Sequence, residues 1–247
     1  MVTDAEIYAA LHRGTPGDLT FYVDRCAGAD AVLELGCGFG RVLAALAADT
    51  RRLVGVDADR DLLQLAHTRL AEAGVLDRVQ LHRDDMRTVA LGETFDRVLL
   101  PHAGIYCLPD DADVMDCLAT VHAHLRPGGR FIFDAWAADA FAEDAADDDD
   151  DEHVARLPSV EIDGATWGVQ ERSVLDRAAQ RIDVLYTLTP PSGPPHHNRV
   201  THHYRTAAQL VAALEATGFR VKSVDGGFAG ELYDDDAQAM VVVAERF

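Results

Sequence analysis

The sequence predicts a doubly wound α/β sheet that carries an inserted antiparallel β lobe. Three observations lead there. Residues 31–135 alternate short apolar runs with segments of helical period. A glycine-rich turn, Gly36-Cys37-Gly38-Phe39-Gly40, joins the first such strand to the first helix. Beyond residue 135 the repeat changes to the two-residue period of half-buried strands, and helical spacing returns only near the C-terminus.

The elements follow in order. Ala31-Val32-Leu33-Glu34-Leu35 is a short apolar strand ending in glycines, and Arg41 to Ala48 is a helix with Val42, Leu43 and Leu46 on one face. Leu53 to Asp57 is the next strand. Asp59 then caps a helix in which Leu62, Leu63, Leu65 and Ala66 recur at helical spacing. Val79 to His82 and Phe95 to Pro101 are the third and fourth strands, the latter apolar enough for the centre of a parallel sheet. Asp113 to Leu125 is a helix stopped by Pro127-Gly128-Gly129, and Arg130 to Asp134 is a fifth strand. The acidic run Asp147 to Glu152 reads as a solvated loop. Strand-like segments follow at Thr166 to Leu175, at Arg181 to Leu188 and around Val200 to Tyr204, with a Pro/Gly loop at Pro190 to Pro195. A helix from Thr206 to Thr217 and strands at Phe219 to Val224 and Ala239 to Ala244 complete the core. The division is thus a helical cap (1–30), a ligand-binding core (31–135), an acidic loop with the β lobe (136–204) and the C-terminal part of the core (205–247).

The 247 residues suffice for one sizeable core with an inserted lobe, and 48% hydrophobic residues fit a globular chain. No apolar run reaches the ~18 residues needed to span a bilayer. The acidic start Met1-Val2-Thr3-Asp4-Ala5-Glu6 has no signal-peptide pattern, and Cys26, Cys37, Cys107 and Cys117 form neither CxxC pairs nor a disulfide framework. The expectation is a cytoplasmic protein, monomer or homodimer, away from membranes. A formal net charge of −20 disfavours nucleic acid as a partner, because a polyphosphate backbone would be repelled.

The glycine turn lies where open α/β sheets bind ligands. A dinucleotide fingerprint needs G-x-G-x-x-G, whereas Arg41 stands where that pattern wants its third glycine. No G-K-[ST] follows, so a phosphate-cradling P-loop is absent. Glu34, at the strand end, suits an ammonium better than a pyrophosphate.

Glu34-Leu35-Gly36-Cys37-Gly38-Phe39-Gly40 resembles the first motif of class I methyltransferases that use S-adenosylmethionine (SAM). Asp57 at the end of strand two, Asp84-Asp85-Met86 after strand three, Phe95-Asp96 opening strand four and Leu125-Arg126-Pro127-Gly128-Gly129 before strand five follow in that family's order. The resemblance covers residues 31–135, and 204–247 more loosely. It implies a Rossmann-like fold and SAM as cofactor. It implies cofactor contacts from Glu34, Gly36, Cys37, Gly38, Asp57, Ala58, Asp85, Met86 and Leu100. Asp57 would hold the ribose hydroxyls, Asp85 the adenine amino group, and Met86 would pack by the ring. Tyr22 and Phe21 either close over the cofactor or pack as ordinary helix residues.

The acceptor side is less constrained. Strand four ends in Leu100-Pro101-His102-Ala103-Gly104-Ile105-Tyr106, which lacks the Asp/Asn-Pro-Pro-Tyr/Phe element of DNA amino-methyltransferases. The layout is similar to small-molecule N-methyltransferases with a β insertion, and Val224 to Glu231 is similar to enzymes that methylate a peptide α-amine. His102 is a candidate general base or a pocket wall, and Tyr106 a candidate acceptor contact or an aromatic lid. Tyr204 either contacts substrate or packs in the core. Of His196, His197, His202 and His203, neighbours on a strand point to opposite faces, and no ligand spacing for a metal is present. The expectation is methyl transfer from SAM to an amine of a small molecule or peptide. The alternatives are small-molecule O-methylation, a non-catalytic SAM-binding module and, disfavoured by the glycine spacing, a nicotinamide-dependent oxidoreductase.

Overall fold

The computed structural model describes residues 2–139 and 151–247. Two helices come first, α1 (Asp4–Leu11) and α2 (Asp18–Cys26). Thr3 caps α1 through a reciprocal pairing with Glu6, which satisfies amide donors that the first turn cannot. The core then alternates: β1 (Ala31–Leu35), α3 (Arg41–Leu46), β2 (Arg52–Asp57), α4 (Arg60–Glu72), β3 (Val79–Arg83), β4 (Phe95–Leu100), α5 (Asp111–His124) and β5 (Leu125–Trp136). Four strands follow: β6 (Asp151–Ile162), β7 (Ala165–Asp176), β8 (Arg181–Thr189) and β9 (His196–His203). Helix α6 (Ala207–Ala216) and strands β10 (Phe219–Asp225) and β11 (Ala239–Arg246) end the chain.

The main sheet has seven strands in the order β10-β11-β5-β4-β1-β2-β3. Strands β1 to β5 pair parallel, and β11 runs antiparallel between β5 and β10. Strand β1 is buried at every residue, as its apolar run requires of a strand covered on both faces. One core packs Leu33, Leu35, Phe131 and Phe133 on one face of the sheet, and another packs Val32, Leu43, Leu53 and Ile132 on the other. The strand order reverses between β1 and β4, so their C-terminal ends open a crevice there.

The second sheet, β6-β7-β8-β9, is antiparallel throughout. It has its own core, in which Trp167, Val169 and Leu188 enclose Ile7 of α1. The N-terminal helix is thus fastened to a lobe that begins about 150 residues later.

Two expectations change. The acidic run does not end in a loop: Asp151 and Glu152 already belong to β6, and the rest of the run lies outside the described residues. Strand β6 escaped sequence reading because it contains Pro158. A proline is tolerated there since β6 is an edge strand whose register shifts between Leu157 and Val160. The strand ending at His203 also starts earlier than its apolar residues suggest, at His196.

Candidate active site

The site begins at the glycine turn. Gly36, Gly38 and Gly40 all have left-handed φ values, of 60°, 51° and 74°. At Gly40 there is a second reason: a Cβ would sit 3.1 Å from that of Ala66, where α4 crosses the turn. The turn directs the Gly38 N–H to Asp57 Oδ2 at 2.7 Å, and Asp57 Oδ1 accepts from the Asp59 N–H at 2.8 Å. Burial raises the Asp57 carboxyl above its ordinary range, and these two bonds oppose that shift.

Glu34 projects from the end of β1 and is 3% exposed. Its Oε2 reaches no hydrogen-bond partner among the described residues. Burial pushes the carboxyl up to about 8, with Arg41 opposing and Asp57 reinforcing the rise. An orphaned buried carboxylate oxygen beside a glycine turn fits a ligand that brings its own ammonium. The amino acid end of SAM carries one.

Three cavities meet at this edge of the sheet. The smallest, about 40 Å³, is bordered by Glu34, Gly36, Cys37, Gly38 and Arg41. The second, about 490 Å³, is lined by Asp57, Ala58, Leu62, Asp84, Asp85 and Met86. Its acidic and apolar walls suit a nucleoside. Asp85 there is held by the guanidinium of Arg87, which also lowers its pKa. The third cavity, also about 490 Å³, lies under the second sheet between Trp136, Tyr186, Val200 and His202. His102 and Tyr8 border all three cavities.

The position of His102 is imposed. His102 and Ala103 both adopt left-handed backbone, at φ 56° and 55°. Such a conformation costs on the order of 1–3 kcal/mol per non-glycine residue. Asp134 of β5 holds it: the His102 N–H donates to Asp134 Oδ1 at 2.9 Å, and the Ala103 N–H to the Asp134 carbonyl at 2.9 Å. Asp134 is 7% exposed and also accepts from the Tyr22 hydroxyl at 2.6 Å.

Three expected site residues stand elsewhere. Tyr22 is fully buried and supports Asp134 from behind, so it does not close over a ligand. Tyr106 is fully buried too. Its hydroxyl lies between the carbonyls of Trp136 and Arg205, at 3.1 and 2.9 Å, which removes it from the acceptor cavity and makes it a clamp between β5 and the chain after β9. Leu100 lies beneath the glycine turn, its Cδ1 3.5 Å from where a Gly36 Cβ would be, and serves as floor rather than wall. Tyr204 is 1% exposed and packs on Trp136.

Sequence reading missed Tyr8, His12, Trp136, Glu171 and Tyr186, all of which line the third cavity. Three of these had a signal. Tyr8 and His12 stand four apart, hence on one face of α1. Trp136 ends a parallel strand at the ligand-binding edge. Glu171 and Tyr186 have no local signature, since only the pairing of β7 with β8 sets them opposite each other.

The chain is similar to several known proteins. A family profile described as a methyltransferase domain matches residues 32–129. A cypemycin N-terminal methyltransferase from Streptomyces sp is 30% identical over 222 residues, covering 87% of this chain and 82% of that protein. A dTDP-3-amino-3,4,6-trideoxy-alpha-D-glucopyranose N,N-dimethyltransferase from Streptomyces venezuelae is 28% identical over 204 residues, covering 82% of this chain and 80% of that one. Among solved structures, the CcbJ methyltransferase from Streptomyces caelestis superposes with a TM-score of 0.80 at 21% identity, covering 100% of this chain and 99% of that one.

Proposed function

The chain belongs to the class I SAM-dependent methyltransferase family, and from that premise we propose that it methylates an amine nitrogen of a small molecule or peptide. The observation that carries this reading is the junction at His102, where the cavity lined by Asp57, Asp85 and Met86 meets the cavity walled by the β lobe. The relatives' names add that one acts at a peptide N-terminus and another at an amino sugar.

Bound SAM supplies an electrophilic methyl group on a cationic sulfur. Glu34 receives its ammonium, Asp57 its ribose hydroxyls, and Asp85 with Met86 its adenine. Gly36, Cys37, Gly38 and Ala58 contribute backbone surface close to it. The protein's remaining task is to hold the acceptor in line and exclude water. Trp136, Tyr186 and Tyr8 provide the apolar walls for that. The −20 net charge supports a non-nucleic-acid acceptor. The unpaired Cys26, Cys37, Cys107 and Cys117 support a cytoplasmic enzyme. Among the described residues no helix is long and apolar enough to cross a membrane.

The test is a transfer assay with methyl-labelled SAM over primary amines, amino sugars, peptides with free α-amines and hydroxyl compounds. Label entering amines alone is the expected result. Label entering hydroxyl compounds with amines untouched would replace this reading by O-methylation.

A further inference from the structure

Three histidines from three distant elements converge on the third cavity: His12 at the end of α1, His102 after β4 and His202 on β9. His12 Nδ1 lies 3.5 Å from His102 Nε2. The other nitrogen of His12, Nε2, is buried without a hydrogen-bond partner among the described residues, and so is His202 Nδ1. Buried polar atoms are nearly always satisfied, so two orphans on residues that line one cavity point to a ligand that brings N–H or O–H groups.

We propose that His12 and His102 form a relay that takes the proton from the acceptor's ammonium, with His202 receiving a second N–H of the same group. This rests on the amine reading given above. An aliphatic amine enters protonated at neutral pH and has no lone pair to attack with. Its proton passes to His12 Nε2 while the Nδ1 proton of His12 passes to His102 Nε2. The amine is then neutral, and its lone pair forms the N–C bond as the C–S bond breaks and the electron pair stays on sulfur. The imidazolium of His102 later releases its proton to solvent, His12 exchanges its Nε2 proton for one at Nδ1 through water, and the methylated product leaves as an ammonium ion.

The charges around the trio favour that direction. Burial, with His102 and His202 nearby, pushes His12 down to about 3, so it passes a proton but does not keep one. Burial, with His102 and His203 nearby, pushes His202 down to about 4. Burial also lowers His102, but the Asp134 carboxylate opposes the shift and Asp18 adds to that opposition, while Arg41 works against them. Of the three rings, His102 is the one whose charged form has the Asp134 carboxyl beside it. The other titratable groups bordering the cavity are Tyr8 of α1, Cys107 after β4, Glu171 of β7 and Tyr186 of β8. Burial raises Tyr8, Cys107 and Tyr186, which keeps all three uncharged at neutral pH. Glu171 is the carboxylate of the lobe wall and suits the arriving ammonium.

The test uses the full chain with S-adenosylhomocysteine bound and 15N-labelled histidine. Long-range 1H–15N correlation spectra read each ring's tautomer and titration. The proposal expects His12 as the Nδ1–H tautomer and His102 as the first of the three to protonate on acidification. An Nε2–H tautomer of His12, or His12 or His202 protonating before His102, overturns it. A kinetic arm uses trialanine amide as the amine probe. Wild-type turnover should stay nearly level between pH 8 and pH 7. His12→Phe, which keeps a ring against Tyr8 and Tyr186, should be least impaired at pH 9 and lose about a further tenfold per pH unit below the amine pKa of ~8. An equal loss at every pH would mean a packing role and overturn the relay. Failure of the wild type to methylate any amine counts against the amine reading, while the spectra still decide the relay.

Discussion

The two halves of the site are built in opposite ways. The cofactor half comes mainly from the C-terminal ends of β1, β2 and β3 and the turns that follow them, with Tyr8 and the β4 loop at its border. Its chain turns on three left-handed glycines, Gly36, Gly38 and Gly40. The acceptor half draws on α1, the β4 loop, β5, β7, β8, β9 and the chain around β11, from Tyr8 to Ala239. A ligand common to a whole family can be met by a short, locally determined frame. An acceptor peculiar to one enzyme is met by side chains that can change without moving the frame.

Asp134 joins the halves, and changing it should have the largest effect. Asp134→Ala leaves the His102 N–H and the Tyr22 hydroxyl buried and unpaired. At roughly 1–3 kcal/mol each, the expected loss of stability is about 2–6 kcal/mol. Denaturant unfolding measures it. A loss below ~1 kcal/mol would mean that the halves are not coupled through this carboxylate.

Asp57→Ala should affect only the cofactor half. The expected loss is about 1.5–3 kcal/mol of SAM affinity by calorimetry, from charge-assisted hydrogen bonds to the ribose. Unchanged affinity in a folded variant would remove Asp57 from the site.

Tyr106→Phe should lower stability by about 0.5–1.5 kcal/mol and leave the acceptor KM unaltered, because the hydroxyl clamps backbone carbonyls outside the cavity. A raised KM with stability intact would return Tyr106 to the acceptor half.

The smallest effect is a proton count at Glu34. Its folded pKa, about 8, lies above the ordinary carboxylate range. Its ionisation therefore costs folding stability progressively as pH rises from ~4.3 toward 8, since the folded state binds the extra proton. The cofactor's ammonium reverses that shift, so binding at pH 7 should release up to about one proton. The calorimetric enthalpy should then vary with the buffer's ionisation enthalpy, and Glu34→Gln should abolish the variation. A buffer-independent enthalpy in the wild type would assign the ammonium to another group.

What could be read from the chain follows the same division. The βαβ core was legible because its strands are continuous apolar runs and its helices carry local caps such as Asp59. The ends of β1 and β2 announced Glu34 and Asp57 because parallel strands deliver their ligand contacts at one edge. Tyr22 and Tyr106 misled because sequence position places a residue near a site without saying which way its side chain points. Both hydroxyls found partners inside the protein.

By itself the sequence determined the sheet, the position of the glycine turn and the cofactor it suits, all of them consequences of local periodicity and local backbone freedom. The tertiary structure alone decided that β6 is a strand despite Pro158, that Asp134 holds His102 in left-handed backbone, and that His12, His102 and His202 share one cavity. Those three histidines are separated by 90 and 100 positions, and no local pattern links them. They share a cavity because α1 buries Ile7 in the lobe's own core, which carries His12 to the cavity that His202 lines.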